Sequence, residues 1–277
     1  MPFSHEALLY DGTDGLLAGA LPFIRAGLER DEPVLVAARP ETLAALAGAP
    51  CERVEIPSNP ARIIPFWREF VDAHDGPVRG IGEPIWAGRG ADELIECQLH
   101  ESLLNVAFDD DFRLLCPYDT SALDDAVIYE ACRSHPTVDD QTSPAYRAGP
   151  LPLAPLPPPP AGAKLLGFDL DSLAEVRQFV AAHGGDDDFV LAVGELAINS
   201  VQHGGGRGIV RVWHEERALV CEVRDQGRIA DPLAGRVRPA LDSLGGRGLW
   251  IANAVCDLVQ IRPGAVRVKT ASARPPG

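Results

Sequence analysis

Short apolar runs and segments with helical periodicity alternate along the first half of the chain. Continuous apolar runs at 7–10 and 33–38 are typical of buried strands, whereas apolar residues recur about every three to four positions at 16–29 and 91–108. Strands that alternate with helices favour a parallel sheet covered by helices, so the pattern predicts a parallel α/β domain. The predicted strands are 7–10, 33–38, 53–56, 78–82 and 113–117, and the predicted helices are 16–29, 41–47, 64–73, 91–108 and 124–132.

A proline-rich segment at 149–163 separates this pattern from a second one. Proline is excluded from helix interiors and central strands and favours polyproline II, so we predict a semi-rigid spacer here. A docking motif for another protein is the alternative interpretation. The sequence therefore predicts one domain at 1–148 and another at 164–277.

The second domain begins with a predicted strand at 165–169 and continues with a mixture of helices and hairpins. We expect Ser172 and Glu175 to form a capping box, and Asp187 or Asp188 to cap the next helix. A segment at 229–244 without periodicity is interpreted as a mobile lid. The remaining predicted elements are helices at 172–183, 187–203 and 248–256, and hairpins at 209–224 and 258–270.

Charge is distributed unevenly between the two domains. The chain has a net charge of −15, and residues 1–148 carry all of it, with 26 acidic and 11 basic residues. An acidic surface argues against nucleic acid and against anionic membranes as partners. Acidity that only keeps the domain in solution is the alternative explanation.

Several absences in the sequence point to the cytoplasm. No apolar run approaches the roughly 20 residues needed to span a bilayer, and the first residues show no signal peptide. The six cysteines are scattered, which is typical of free thiols in a reducing compartment. We therefore expect a cytoplasmic protein. The cysteines are at positions 51, 97, 116, 132, 221 and 256.

Three polar or glycine-rich segments in the last third of the chain are the strongest candidates for chemistry. Glu195, Asn199 and His203 are spaced to share one face of a helix. A carboxylate and an amide one turn apart can serve a Mg²⁺ ion and its waters, since Mg²⁺ prefers oxygen ligands. The alternative for a single Glu is a solvated position on an amphipathic helix.

Asp225 and the glycines that follow it fit a nucleotide. A carboxylate after a strand can accept a hydrogen bond from an exocyclic amine, as adenine presents. Gly245, Gly246 and Gly248 allow close approach of the backbone and expose N–H groups to phosphate. The alternatives are an ordinary hairpin turn and a helix N-terminus without a ligand.

Together these segments, at 194–204, 223–227 and 245–251, resemble the GHKL ATPases. Within that superfamily, residues from about 168 to 270 are similar to the anti-sigma-factor serine kinases. The resemblance implies a Bergerat-type α/β sandwich that binds ATP and Mg²⁺.

The same resemblance implies a role for each matching residue. Asn199 coordinates Mg²⁺, and Glu195 is the general base on the acceptor hydroxyl. Asp225 accepts the adenine amine, and Gly227 leaves room for the ring. The other implied site residues are His203 at the helix end, Gly245, Gly246 and Gly248 around the phosphates, Leu249 at the start of the next helix, and Arg247 at the γ-phosphate.

The first domain resembles MEDS-type sensory domains through the segments at 5–10, 59–65, 79–86, 96–105 and 115–119. Its opening is also similar to a RecA/KaiC-type core. The loop at 11–15 lacks the Gly-Lys-Ser/Thr that grips phosphate, so we predict a RecA-like domain without a Walker A motif and without nucleoside-triphosphatase activity.

A dense polar set in this domain is the candidate site for an unknown small-molecule signal. The alternative is a buried salt-bridge network or a solvated helix face. Cys97-x-x-His100 and Cys132-x-x-His135 have a metal-like spacing, but each pair is isolated, so a metal in this domain is left open. The candidate signal residues are Arg79, Glu83, Trp86, Glu96, His100, Glu101, Asn105, Tyr118 and Asp119.

These resemblances imply a signal-responsive regulator. We expect it to bind Mg·ATP, to phosphorylate a serine of an anti-anti-sigma (STAS) partner, to sequester a sigma factor, or to do both. The alternatives are a non-catalytic ATP-binding module that sequesters partners, and a histidine-kinase-like protein that acts on a separate acceptor chain. A homodimer is a further expectation, because relatives of the second domain often dimerise.

Overall fold

The computed structural model describes residues 3–239 and 246–271. The chain divides into two compact units, Met1–Leu151 and Pro152–Gly277. Each unit is an α/β structure with its own sheet. Across the described ranges, no helix combines the length and the apolar character that a membrane span requires.

The first unit is built on a seven-stranded sheet in which every neighbouring pair but the last is parallel. The strands are β1 (Ser4–Tyr10), β2 (Val34–Ala38), β3 (Glu52–Glu55), β4 (Val78–Gly82), β5 (Phe112–Asp119), β6 (Thr137–Val138) and β7 (Gln141–Thr142), in the order β3-β2-β4-β5-β1-β6-β7. This confirms the predicted parallel α/β class. The two-residue strands β6 and β7 were not predicted, because they are too short to show periodicity.

Helices connect these strands close to the predicted positions. They are α1 (Gly12–Leu28), α2 (Pro40–Ala45), α3 (Ile63–Asp72), α4 (Ala91–Ala107) and α5 (Asp125–Ser134). Trp67 of α3 is almost completely buried on the sheet, and a Cβ on Gly80 would lie 2.8 Å from its ring. Glycine in the middle of β4 therefore allows the indole to pack directly on the strand.

The second unit is an antiparallel sheet with helices on one face. Its elements are β8 (Lys164–Asp169), α6 (Leu173–Ala182), α7 (Asp187–His203), β9 (Arg207–Glu215), β10 (Ala218–Arg224), α8 (Arg247–Val255), β11 (Leu258–Arg262) and β12 (Ala265–Ala271), with strand order β11-β12-β10-β9-β8. This arrangement confirms the GHKL-like class predicted for the second half. Apolar residues of α6, α7 and α8 pack against alternate positions of the strands.

The predicted cap of α7 is wrong, and the capping box predicted for α6 does not form. The cap of α7 is Asp186, whose Oδ1 accepts from the backbone N–H of Phe189 at 2.8 Å, and neither Asp187 nor Asp188 takes that position. Ser172 is the N-cap residue of α6, as predicted, but its side chain makes no cap hydrogen bond, because its hydroxyl bonds the carboxylate of Asp169 at 2.9 Å. Three consecutive Asp residues, 186–188, precede or begin α7, and the backbone turn determines which of them is the cap.

The proline-rich segment lies against the face of the second sheet that the helices leave uncovered. The carbonyl of Ala154 accepts from Arg262 at 3.0 Å, and that of Pro157 accepts from Arg267 at 2.6 Å. Leu156 between them is buried. This part of the segment is therefore held on the sheet, and it does not extend as a spacer.

Candidate functional site

A cavity of about 420 Å³ lies in the second unit, within the volume range typical of ligand pockets. It is enclosed by α7, the start of α8, the ends of β10 and β12, and residues 227–239. Apolar side chains form much of its wall, and Asn199, His203 and Asp225 supply polar groups. The apolar lining residues include Leu196, Val223, Ile229, Leu249 and Val266.

Asp225 is the most firmly held polar group in this cavity. Its Oδ2 accepts from the hydroxyl of Ser200 at 2.6 Å, and its Oδ1 accepts from the backbone N–H of Gly227 at 2.7 Å. Each carboxylate oxygen has a second lone pair, so the group can still accept a hydrogen bond from a ligand amine. Two donors from two different segments therefore orient the carboxylate before any ligand arrives.

Close backbone contacts explain the glycines around Asp225. A Cβ on Gly204 would lie 2.4 Å from Asp225 Cγ, so any side chain there would displace the carboxylate. Gly264 in the β11–β12 turn has a φ of +69°, and a Cβ there would lie 3.0 Å from the Asp225 carbonyl oxygen. The N–H of Asp225 donates to Gly264 O at 3.2 Å. The end of α7 and this turn thus hold the segment from both sides.

Asn199 lies where α7 meets the N-terminus of α8. A Cβ on Gly248 would lie 2.7 Å from Asn199 Nδ2, so glycine permits this contact. Gly246, which caps α8, has a φ of +83°, a conformation that strongly favours glycine, and it lines the cavity. The positive end of the α8 dipole and the N–H groups of its first turn therefore face a site suited to phosphate.

The structure brings six of the ten predicted nucleotide-site residues to the wall of this cavity. These six are Asn199, His203, Asp225, Gly227, Gly246 and Leu249. Gly248 is one layer behind the wall, against Asn199. Glu195 lies one turn before Asn199 on α7 and Arg247 is exposed at the start of α8, and neither lines the cavity. Gly245 lies outside the described residues.

The first part of the predicted lid is anchored. Asn253 Nδ2 of α8 donates to Gly235 O at 2.7 Å, and Gly235, at a φ of +74°, packs directly on Leu249. Arg236 is buried. The turn at 232–236 is therefore part of the cavity wall, and the mobility of the segment stays a prediction.

Sequence reasoning missed several contributors to the site. Ser200 lies in the segment at 194–204 but was assigned no role, because its position beside Asn199 does not predict contact with Asp225. Arg228 and Arg238 are exposed and line the cavity, which places two cations beside a site predicted for a triphosphate. Their positions in an aperiodic segment carried no signal in the sequence.

In the first unit, the candidate signal residues separate into distinct groups. Arg79 is buried in an ion pair with Glu32 and stacks on the Phe23 ring. The guanidinium of Arg89 covers Trp86 at 3.9 Å, so Trp86 is not an open apolar wall. The contacts of Arg79 and Trp86 therefore agree better with a network of buried structural contacts than with one shared signal site.

Glu83 and Asp119 lie at the carboxyl ends of their strands, close to Tyr10. Glu83 pairs with Arg39 at 3.1 Å, and Asp119 accepts from the hydroxyl of Ser121 at 2.6 Å. Burial and the nearby carboxylates of Glu83 and Asp119 raise the pKa of Tyr10 to about 12. Ligands of open parallel sheets bind at this end of the strands, so the edge is a second candidate position for a signal.

Glu101 belongs to a separate buried cluster that includes three residues outside the candidate set. Its Oε2 lies 3.0 Å from Nε2 of His5 and 3.2 Å from Nε2 of His135, and Cys116 Sγ lies 3.5 Å from His5 Nε2. Burial alone would raise the pKa of Glu101, but hydrogen bonds and charge from the two histidines outweigh it and hold that pKa well below its usual range.

Two further candidates are next to this cluster. Asn105 Oδ1 lies 3.2 Å from His5 Nδ1, and the Tyr118 ring stands edge-on to that of His135. Glu96 and His100 are buried on α4 with Glu101. The predicted Cys-x-x-His pairs are not what assembles here, because His135 meets Cys116 and not Cys132.

Comparison with known proteins identifies both units. Residues 4–136 match the family model described as MEDS, the MEthanogen/methylotroph, DcmR Sensory domain, and residues 167–270 match the model described as Histidine kinase-like ATPase domain. No curated protein matches the chain. The chain is therefore a fusion of an N-terminal MEDS domain and a C-terminal GHKL-type ATPase domain.

Proposed function

We propose that this protein is a signal-responsive kinase of the anti-sigma-factor type, in which the ATPase domain binds Mg·ATP and phosphorylates a serine of a STAS partner. The observation that carries the proposal is the pre-oriented Asp225 carboxylate among apolar side chains, in a cavity whose wall also includes Asn199 and the N-terminus of α8. An adenine ring suits the first part and a magnesium triphosphate suits the second.

The residues of the cavity fit this nucleotide. Asp225 would accept the adenine amine, and the side chains of Leu196, Val223 and Val266 would cover the ring. The amide oxygen of Asn199 would reach Mg²⁺, and Arg228 and Arg238 supply positive charge at the rim. Bound ATP supplies the phosphoryl group.

Glu195 is the proposed general base. It lies one helical turn from Asn199, so the two side chains share a face and are roughly 5–6 Å apart at their Cβ atoms. In the reaction, Glu195 accepts the proton of the partner serine hydroxyl, whose oxygen then forms a bond to the γ-phosphorus. The bond between the γ-phosphorus and the β,γ-bridging oxygen breaks, and ADP leaves.

A second function, ATP binding without transfer, is favoured by one observation. Glu195 does not line the cavity, so the base is not in contact with the space that the nucleotide would occupy. In that case the ATPase domain would sequester a partner, such as a sigma factor, in a nucleotide-dependent manner.

Incubation with γ-labelled ATP and candidate STAS proteins tests the proposal. We expect acid-stable label on a partner serine. ATP binding with no labelled partner would support sequestration, and acid-labile label would show a histidine-kinase-like reaction on a separate chain.

Glu195→Ala is expected to reduce labelling by at least about 100-fold while ADP affinity changes little, because a general base contributes roughly 10²–10⁴ to the rate. Glu216→Ala, an exposed carboxylate in the β9–β10 turn, is the matched control. Unchanged transfer in Glu195→Ala would show that Glu195 is not the base.

A further inference from the structure

The interior of the MEDS domain contains four side chains that together have the chemistry of a metal site. His5, Glu101, Cys116 and His135 are each 2% exposed or less. One potential ligand atom from each lies within 4.8 Å of the others. Imidazole nitrogen, thiolate sulfur and carboxylate oxygen are the ligands that Zn²⁺ uses in proteins.

The fold assembles these residues from four separate elements. His5 is on β1, and the parallel pairing of β1 with β5 sets Ala7 beside Cys116, so Cys116 lies diagonally across from His5. On the other side of β1, β6 begins two residues after His135 and pairs at Glu6 with Thr137. Glu101 reaches the same point from α4.

Hydrogen bonding determines which nitrogen of His135 carries the proton. Its Nδ1 lies 2.7 Å from the carbonyl oxygen of Ala131, which can only accept, so Nδ1 carries the hydrogen. In a neutral ring, Nε2 is then a lone pair, and it points at Glu101 Oε2 at 3.2 Å.

The same reasoning applies to His5. The amide of Asn105 donates through Nδ2 to Ser134 O at 2.7 Å, which leaves Oδ1 as the acceptor for His5 Nδ1 at 3.2 Å. Nε2 of His5 faces Glu101 Oε2 at 3.0 Å, where it donates if the ring is protonated and presents a lone pair if the ring is neutral. If both rings are neutral, two lone pairs and a carboxylate converge on one point, an arrangement that a cation stabilises.

Protonation of the histidines stabilises this cluster less well than a divalent cation would. Protonation of both rings would bring two positive charges together in the protein interior, because their centroids are 4.0 Å apart. One divalent cation would neutralise the carboxylate and accept both lone pairs at once. The rival arrangement is a single imidazolium shared with Glu101, and the experiment below separates it from metal binding.

We propose that His5 Nε2, His135 Nε2, Cys116 Sγ and the Glu101 carboxylate bind one d-block divalent cation, with Zn²⁺ the best fit. Bonds of about 2.0–2.3 Å place tetrahedral ligands about 3.3–3.7 Å apart. The two nitrogen–oxygen distances and the 3.5 Å sulfur–nitrogen distance are within about 0.3 Å of this range, and the remaining pairs close as the ligands move inward.

The groups behind the ligands match those of known metal sites. Ligating histidines almost always donate their other N–H to a carbonyl, carboxylate or amide oxygen, as His135 does to Ala131 and His5 to Asn105. Four protein ligands and complete burial indicate a closed site, in which the ion holds β1, β5, α4 and the end of α5 together. The inference concerns the MEDS domain only, so it stands or falls independently of ATP binding.

Metal analysis of the purified full-length protein is the first test. We expect about one equivalent of Zn²⁺ per chain, and we expect Co²⁺ exchange to produce a sulfur-to-cobalt charge-transfer band. Cys116→Ser should abolish the band, and His135→Gln should lower the metal content to near zero. Cys97→Ser and Cys132→Ser, at thiols outside the four ligands, should keep both signals.

A measurement on the wild-type protein tests the proposal even if the variants fail to fold. Removal of metal with a chelator should lower the melting temperature of the MEDS transition, and Zn²⁺ should restore it by at least about 5 °C. If the wild-type chain contains no metal and neither Zn²⁺ nor Co²⁺ shifts the transition, the shared-proton arrangement is correct and the proposal fails. Full metal content in both Cys116→Ser and His135→Gln would also overturn it.

Discussion

Replacement of Asp225 by Asn tests the assignment of the adenine acceptor with almost no change in shape. In the wild type, both carboxylate oxygens accept, one from the backbone N–H of Gly227 and one from the hydroxyl of Ser200. An amide keeps one oxygen and converts the other to a donor. The backbone N–H cannot accept, so the amide oxygen must remain on the Gly227 side.

The amide nitrogen of the Asp225→Asn variant then faces Ser200, which can adapt. The Ser200 hydroxyl already lies 3.2 Å from the carbonyl of Leu196, so it can donate there and accept from the new amide nitrogen. The domain should therefore keep its stability. The cavity, however, now presents an N–H donor where the carboxylate presented an acceptor.

This reversal determines the expected effect on nucleotides. A hydrogen bond to a charged group contributes about 1.5–3 kcal/mol, which corresponds to roughly a 10- to 150-fold loss of ATP and ADP affinity. GTP carries a carbonyl oxygen where ATP carries the amine, so its affinity should not fall. The ratio of ATP to GTP affinity should decrease by the same factor.

Isothermal titration calorimetry with ADP, ATP and GTP measures these affinities, and thermal unfolding verifies the fold. Asp231→Asn is the matched control, because it removes one charge from the same cavity at a residue that caps a turn through Leu233 N at 2.9 Å. An equal loss of ATP and GTP affinity in Asp225→Asn, or no loss at all, would refute the assignment of Asp225 to the adenine amine.

Three further predictions concern packing, a buried ion pair and pH. Gly248→Ala places a methyl group 2.7 Å from Asn199 Nδ2. The variant should bind ATP in the presence of Mg²⁺ about tenfold more weakly and should bind adenosine without Mg²⁺ as the wild type does. Calorimetry in both conditions measures these affinities, and equal losses would contradict the prediction. Glu222→Gln removes the negative charge that pairs with buried Arg267 at 2.7 Å. The ATPase domain should lose about 3–5 kcal/mol of unfolding free energy, measured by urea unfolding. A loss below about 1 kcal/mol, roughly one tenth of the stability of a typical domain, would show that the pair is well solvated. Burial raises the pKa of Glu83 above 4.5 despite its contacts with Arg39, so the native state keeps that proton to a higher pH than the unfolded state. MEDS-domain stability should therefore fall as pH rises from about 4.5 through the raised pKa, and the fall should be smaller in Glu83→Gln; identical pH profiles of wild type and variant would contradict the argument.

Local patterns were sufficient for most of the fold. The run at 33–38 and the helical period at 91–108 are properties of consecutive residues, so β2 and α4 could be recognised without knowledge of their partners. The strands β6 and β7 could not, since each has two residues and exists only because it pairs with a neighbour. The choice of Asp186 as the cap of α7 likewise depends on the backbone turn.

Sequence motifs indicated several residues that line the cavity of the second unit. The helix spacing of Asn199 and His203, and the Asp-Gln-Gly after a strand, indicated which residues would meet, and the structure places them around one cavity. The contact of Ser200 with Asp225 joins segments 25 residues apart and had no pattern to reveal it. The anchoring of Gly235 on α8 was missed for the same reason.

By itself, the sequence determined the two-domain architecture, the fold class of each domain and a nucleotide-binding motif, because each depends on residues that are close together along the chain. Tertiary structure alone decided that His5, Glu101, Cys116 and His135 share one point, and that Glu195 lies outside the cavity wall. Strand order and helix packing set distances between residues far apart in sequence, and single-chain periodicity contains no information about those distances.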